Sequence, residues 1–231
     1  QHTADLQNEI PCIRSLPLRL NRNHQWFSTI DLKEAYHSLP LSNKASRLAT
    51  IVTQNGSYIP SRTMFGLKNA PSKFCELIAD LIQGLETFVF AYLDDFIVFS
   101  ESFTEHLSHL KRLFSRINEF GLFVNVKKCV FAKQEVTFLG HTFSVEGMKP
   151  LQDKVQAIRQ MKQPTTIKEV RRFLGCVNYY RPFLPNLAEA TAPLTELLSV
   201  KRGTPKSTKI CWENRQQQSF QKCINLLANA T

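Results

Sequence analysis

Asp94 and Asp95 stand side by side within residues 88–99, FVFAYLDDFIVF, a run that is otherwise apolar or aromatic. Adjacent carboxylates repel each other and lose solvation in such surroundings unless water or a cation reaches them. A divalent metal ion held through oxygen ligands meets that demand; so does an ordinary turn, for which Asp is a favoured residue. Asp31 closes a second short run, WFSTID over residues 26–31. Three carboxylates gathered from two strands can hold two Mg2+ ions, which clamp the attacking and leaving oxygens of an in-line phosphoryl displacement. Chemistry of this kind transfers nucleotides or cuts nucleic acid.

The acids can act together only if the fold joins stretches far apart in sequence. Residues 88–92 and 96–99 read as strands about a bend at Leu93, Asp94 and Asp95. The strand ending on Asp31 leads into a turn of helix, LKEAYH, that carries Tyr36 about one and a half turns beyond Asp31. Asn55-Gly56 predicts a hairpin between residues 47–52 and 58–64. Asn69 is placed to cap a helix with Pro71 in its first turn and one apolar face of Phe74, Leu77, Ile78, Leu81, Ile82 and Leu85. Ser102 and Glu105 suit a capping box for a second helix, burying Phe103, Leu107, Leu110, Phe114 and Ile117 and stopping at Gly121, before a strand over residues 122–126.

Strand, helix, strand, strand, helix, strand over residues 26–126 is the split βαβ order of a ferredoxin-like sheet, with the Asn-Gly hairpin inserted after the first strand. The expected class is α+β. In this topology the first strand lies beside the central hairpin, so Asp31 approaches Asp94 and Asp95. A hairpin about Gly140 over residues 136–145, closed by Glu146 and Gly147, precedes helices at 151–161, from Thr166 with Glu169 as its capping partner, at 187–198 and at 216–227.

Composition narrows the partners. The net charge is +10, yet residues 1–100 hold equal numbers of basic and acidic side chains, so all the excess falls after residue 100 and favours a polyanionic partner. Six scattered cysteines without a Cys-x-x-Cys pair are expected to be reduced thiols rather than zinc ligands. His106 and His109, three apart on a predicted helix, could share a metal, although two solvated histidines are the plainer expectation. No apolar run approaches the ~18 residues of a membrane span, and no signal peptide opens the chain. The expectation is an intracellular, soluble protein. Without a starting Met and with abrupt ends, the sequence reads as a piece of something longer.

The motifs FSTIDL with Tyr36, FGLKNAP over residues 65–71, YLDD over residues 92–95 and FLGH over residues 138–141 resemble, in that order, the successive motifs of reverse transcriptases, and most closely those of gypsy-like long-terminal-repeat retrotransposon polyproteins. Arg171, Arg172 and the Tyr179-Tyr180 pair resemble the same family's thumb. The resemblance implies the palm of a right-hand polymerase over residues 26–147, with an inserted hairpin and primer grip. It implies a helical thumb over 148–200, a basic linker and the start of a connection towards RNase H over 201–231, and a leader at the fingers boundary over 1–25. Asp31, Asp94 and Asp95 would be the metal-binding catalytic carboxylates, holding two Mg2+ or Mn2+ ions. Tyr36 would be the steric gate beneath the incoming sugar, and Phe65, Gly66 and Lys68 would touch nucleotide and template. Lys128, in preference to Lys127, would protonate the pyrophosphate. Tyr92, the primer-grip residues Phe138, Leu139, Gly140 and His141, and Arg171 and Arg172 of the thumb would meet nucleic acid. Implied partners are an RNA or DNA template with its primer, dNTP, no membrane, and the protease, RNase H and integrase of a longer polyprotein. The implied location is a cytoplasmic virus-like particle, with nuclear entry of the product complex.

Departures from the family pattern accompany the match. Met64 stands where Pro is usual, Ala35 and Ser38 replace the commoner Gly and Gln around Tyr36, and no fingers segment is recognisable in residues 1–25. A catalytically inactive, nucleic-acid-binding remnant is therefore the alternative reading. A viral RNA-templated RNA polymerase is a third, although Gly is commoner there at the position of Leu93.

Overall fold

A computed structural model describes residues 16–20, 23–199, 205 and 207–228. The chain divides into two compact units, Gln1–Phe138 with Phe143–Gly147, and Leu139–Thr142 with Met148–Thr231. Most of the leader over residues 1–25, and most of the basic linker, lie outside the described residues.

In the first unit a short helix α1 (Leu16–Arg19) precedes strand β1 (Trp26–Lys33). Helix α2 (Asn43–Leu48) and the hairpin β2 (Ile51–Thr53) and β3 (Gly56–Tyr58) form the insertion. Then follow α3 (Ala70–Ile82), β4 (Val89–Tyr92), β5 (Asp95–Ser100), α4 (Phe103–Glu119), β6 (Phe123–Val124) and β7 (Val130–Lys133). The strands make one five-stranded sheet in the order β4-β5-β1-β6, with β7 also pairing β1. This is the ferredoxin-like order expected from the sequence, with β1 beside the central hairpin. Strand β7 was not expected.

Both faces of the central strands are covered, which is why residues 96–99 form an uninterrupted apolar run. Ile30, Leu32, Val89, Ala91, Phe96 and Val98 pack with Phe74, Ile78 and Leu81 of α3 and with Leu110, Leu113 and Ile117 of α4. On the other face, Phe99 meets His24 edge-on at 4.9 Å and Phe90 meets Phe138 at 6.4 Å. Truncating a fully buried ring such as Phe96 to Ala should cost about 3–5 kcal/mol.

Local expectations needed correction in several places, among them the second hairpin strand, which is Gly56–Tyr58 and not residues 58–64, and Asn69, which makes no side-chain capping bond at the start of α3. Residues 47 and 48 belong to α2, because Ser42 accepts the Ala45 N–H at 3.3 Å and starts a helix there. The α4 face is rotated: His106, Leu110, Leu113 and Ile117 are buried, while Phe103 and Leu107 are about half exposed. Its capping is also shifted, since Ser102 accepts the Glu105 N–H but the Glu105 carboxylate accepts from Glu101. Finally, strand β6 is only two residues long and gives way to a 3-10 turn, Val126–Lys128.

Strands β8 (Glu135–Phe138), β9 (His141–Ser144) and β10 (Gly147–Pro150) form a meander in the order β10-β9-β8, along which the chain passes from one unit to the other. The first two are the hairpin expected about Gly140; the third is additional. The second unit is otherwise helical: α5 (Gln152–Arg159), α6 (Ile167–Tyr179), α7 (Leu187–Glu196) and α8 (Asn214–Ala228). Thr166 and Glu169 complete a reciprocal capping box at the start of α6, as expected. Phe173, Val177, Tyr180, Leu187, Leu194, Cys223 and Leu227 make its core. The described end of the linker is fixed to the same place, with the Ile167 N–H donating to the Thr208 carbonyl at 3.2 Å and the Ile210 N–H to that of Thr165 at 3.0 Å. Among the described residues no helix is long and apolar enough to cross a membrane, and the cysteines are free thiols, with Cys75 and Cys223 buried and Cys211 exposed.

Candidate active site

The β4–β5 hairpin pairs Tyr92 with Asp95, which leaves Leu93 and Asp94 as its turn and makes Asp95 the first residue of β5. Across the sheet Asp31 of β1 is the direct partner of Asp95. Their neighbours Ile30, Leu32 and Phe96 point into the helical core, so alternation places both carboxylates on the opposite face. The Leu32 N–H donates to the Asp94 carbonyl at 3.0 Å, and the Asn125 N–H to the Asp31 carbonyl at 2.8 Å. Leu93 takes φ 55°, a left-handed backbone that strains a branched residue and holds the turn tight.

The electrostatics are those of crowded acids. Burial raises the Asp95 pKa above the usual carboxylate range, the charges of Asp94 and Asp31 raise it further, and Lys128 opposes them. Lys128 closes the 3-10 turn Val126–Lys128, and its Nζ lies 3.3 Å from Asp31 Oδ2. Of the two lysines weighed from the sequence, Lys128 is the one in contact with an acid. Among the described residues no three acidic, His or Cys side chains converge as they stand on a single metal position. The donor set still fits a hard divalent cation: three carboxylates, two on one sheet face and one in the adjoining turn, whose mutual repulsion a cation would relieve.

Tyr36 reaches this neighbourhood by a different route from the one expected. Strand β1 continues to Lys33, Glu34 adopts φ 50°, and Ala35–Ser38 form a 3-10 turn. A left-handed reversal after the strand, rather than helical spacing from Asp31, therefore places the tyrosine. Its ring packs on Phe74 of α3 at 5.1 Å and meets Phe65 edge-on at 6.0 Å. Burial, then the Asp94 charge, then Cys75 raise its pKa. Phe65 is 76% exposed, yet its ring is braced by His37 at 5.0 Å, and His37 Nδ1 donates to the Thr63 carbonyl at 3.0 Å. Gly66 has φ 90° with open space where a Cβ would be, and Lys68 is exposed beside it. Lys68, Asn69, Thr63, Leu39, Leu41 and Ala45 are among the residues lining a groove of about 760 Å3. The bracing role of His37 was missed from the sequence, although it is adjacent to Tyr36.

The residues expected at a primer grip divide. Phe138 is buried against Phe90 and Phe143. His141 is also buried, its ring among Tyr179, Tyr180 and Phe183 and its Nδ1 donating to the Leu139 carbonyl at 2.9 Å. Burial lowers its pKa. Neither offers a free surface, and His141 is tied to the turn before it through the Leu139 carbonyl. Leu139 and Gly140 form that turn with φ 46° and 72°, and the Tyr179 hydroxyl donates to the Leu139 carbonyl. Arg171 and Arg172 are exposed on α6, and Tyr92 is half-buried next to the acidic turn.

The histidines at 106 and 109 correct both alternatives weighed for them. His106 is fully buried and bonds Ser28 Oγ of β1 at 2.7 Å and Ser100 Oγ of β5 at 2.8 Å. His109 shares Ser100 Oγ at 2.8 Å and stacks on Phe88 at 3.7 Å. They are neither a metal pair nor solvated, and the sequence signal for them was the serine near each end of two apolar strands.

Comparison with known proteins adds an independent line. Residues 1–143 match the family described as reverse transcriptase (RNA-dependent DNA polymerase). The Retrovirus-related Pol polyprotein from transposon 297 of Drosophila melanogaster is 38% identical over 205 residues, covering 88% of this chain and 19% of the polyprotein. That from transposon gypsy of the same fly is 31% identical over 211 residues, covering 89% and 20%. The foamy viral protease-reverse transcriptase dRH in complex with ds DNA superposes with a TM-score of 0.85 at 26% identity, over 99% of this chain and 39% of that one. Its relative in complex with an RNA/DNA hybrid gives 0.77 at 27% identity, over 89% and 27%. The chain thus spans about a fifth of the length of these polyproteins.

Proposed function

Because this chain belongs to the reverse transcriptase (RNA-dependent DNA polymerase) family, we propose that it is the palm and thumb of a retroelement Pol polyprotein and extends a primer 3′-hydroxyl with dNTP on an RNA or DNA template. The observation that carries this reading is the cross-strand pairing of Asp31 with Asp95 beside the Asp94 turn. Residues 26–147 are the palm and 148–200 the thumb, while 201–231 are a basic linker and the start of a connection towards a following domain; helix α8 of this last stretch packs into the thumb's core through Cys223 and Leu227. The long Pol relatives and the foamy viral complexes with duplexes support these assignments.

Asp31, Asp94 and Asp95 would hold two Mg2+ ions, with Mn2+ able to replace them. Bound there, such ions supply activation of the primer hydroxyl and neutralisation of the triphosphate. The remaining work falls to this chain's own side chains. Tyr36, backed by Phe74, lies beneath the sugar and excludes a 2′-hydroxyl. Phe65, Gly66 and Lys68 contact nucleotide and template from the loop braced by His37. Lys128 gives a proton to the departing pyrophosphate. Arg171 and Arg172 meet duplex phosphates, a contact that weakens with salt.

Primer extension on poly(rA)/oligo(dT) tests the reading, using this chain and a form extended upstream. We expect feeble synthesis from the short form, full synthesis from the long one, and none from the long form carrying Asp94→Asn. Synthesis that survives Asp94→Asn would overturn the assignment.

A further inference from the structure

We infer that the Lys128 ammonium is a built-in countercation of the acidic site, held on Asp31 in the metal-free protein and released when a divalent ion takes the same carboxylate. This deepens the metal-dependent reading above and rests on it. The ion pair joins unequal partners. The Asp31 side chain is 18% exposed and that of Lys128 66%. A sheltered carboxylate among two others needs a nearby cation, and among the described residues Lys128 is the cation in contact with it.

The backbone around the lysine is tied to the same strand. The Asn125 N–H donates to the Asp31 carbonyl at 2.8 Å, and the Lys128 N–H to the Asn125 carbonyl at 2.9 Å. The main chain is thus anchored to Asp31 while a long, flexible stem carries the charge through solvent. An exposed ammonium holding one carboxylate oxygen is weakly bound and easily displaced. Metal and ammonium compete for Asp31, so metal occupancy neutralises the acids and displaces the lysine side chain from Asp31.

Mn2+ titration of the full chain, followed by the electron paramagnetic resonance signal of the free ion, tests this together with thermal unfolding in EDTA. Lys128→Met should bind Mn2+ about 3–10-fold more tightly than wild type, because the competing charge is gone, and should melt lower in EDTA. Lys128→Arg, which keeps the pair, should bind within about twofold of wild type. Lys127→Met, which removes an equal charge one residue away, should also bind within about twofold, since exposed charges out of contact are screened. Unchanged or weaker binding in Lys128→Met, or an equal gain in Lys127→Met, overturns the inference while leaving the metal site standing. Wild-type binding that is absent, or that survives Asp94→Asn, would remove the metal reading and the inference with it.

Discussion

Asp95 is the direct cross-strand partner of Asp31, and it titrates above the usual carboxylate range because of burial and then the charges of Asp94 and Asp31. A carboxyl whose pKa is raised on folding destabilises the charged native state at neutral pH. That penalty is full above the raised value and vanishes as the pH falls below the unfolded value near 3.8. Asp95→Asn should therefore raise the metal-free Tm at pH 7 by about 1–3 °C and flatten its rise on mild acidification. Asp31→Asn should gain less, because it also breaks the contact with Lys128. Calorimetry in EDTA across the acid range checks both, and a loss of stability in Asp95→Asn would mean the carboxylate is structural.

Tyr36 stands on Phe74 with Phe65 at its edge, a rigid setting for a ring that must refuse a hydroxyl. Tyr36→Val should raise single-turnover incorporation of rNTP relative to dNTP tenfold or more, about 1.4 kcal/mol in relative transition-state binding, with only a modest fall in dNTP use. An unchanged ratio would place the gate elsewhere.

His106 is held neutral: burial, and next the charge of His109, lower its pKa to about 4, against the opposing charge of Glu105. The unfolded chain, titrating near 6.5, binds this proton first. The stability that neutral His106 provides is thus complete above that value and is lost as the pH falls from it towards 4, by about 3 kcal/mol in all. Urea unfolding of wild type and His106→Gln across this range should show a shallower pH dependence in the variant. Parallel slopes would mean that His106 is not the group responsible.

Gly140 sits at φ 72°, and a Cβ there would lie 3.7 Å from the Tyr179 hydroxyl. The contact is tolerable, so the cost of Gly140→Ala should come from the left-handed backbone alone, about 1 kcal/mol. Denaturant melts reporting on the second unit measure it. A cost of several kcal/mol would show that the Tyr179 hydroxyl had been forced from the Leu139 carbonyl.

Periodicity and turn chemistry were enough to find the acidic hairpin, the helix opened by Pro71, the capping box at Thr166 and the ferredoxin-like strand order, because each depends on residues close in sequence or on a single connection rule. The motif order was equally legible, and through it the family. Long-range packing decided the rest. It turned α4 so that His106 faces Ser28 and Ser100, since a buried imidazole needs two partners and the serines on neighbouring strands supply them. It also buried Phe138 and His141, which the motif alone would have left at a surface. The strand extension to Lys33 and the left-handed Glu34, which together aim Tyr36, depend on pairing with β5 and β6. The contact of Lys128 with Asp31 spans 97 residues, and only the folded sheet determines which cation meets which acid.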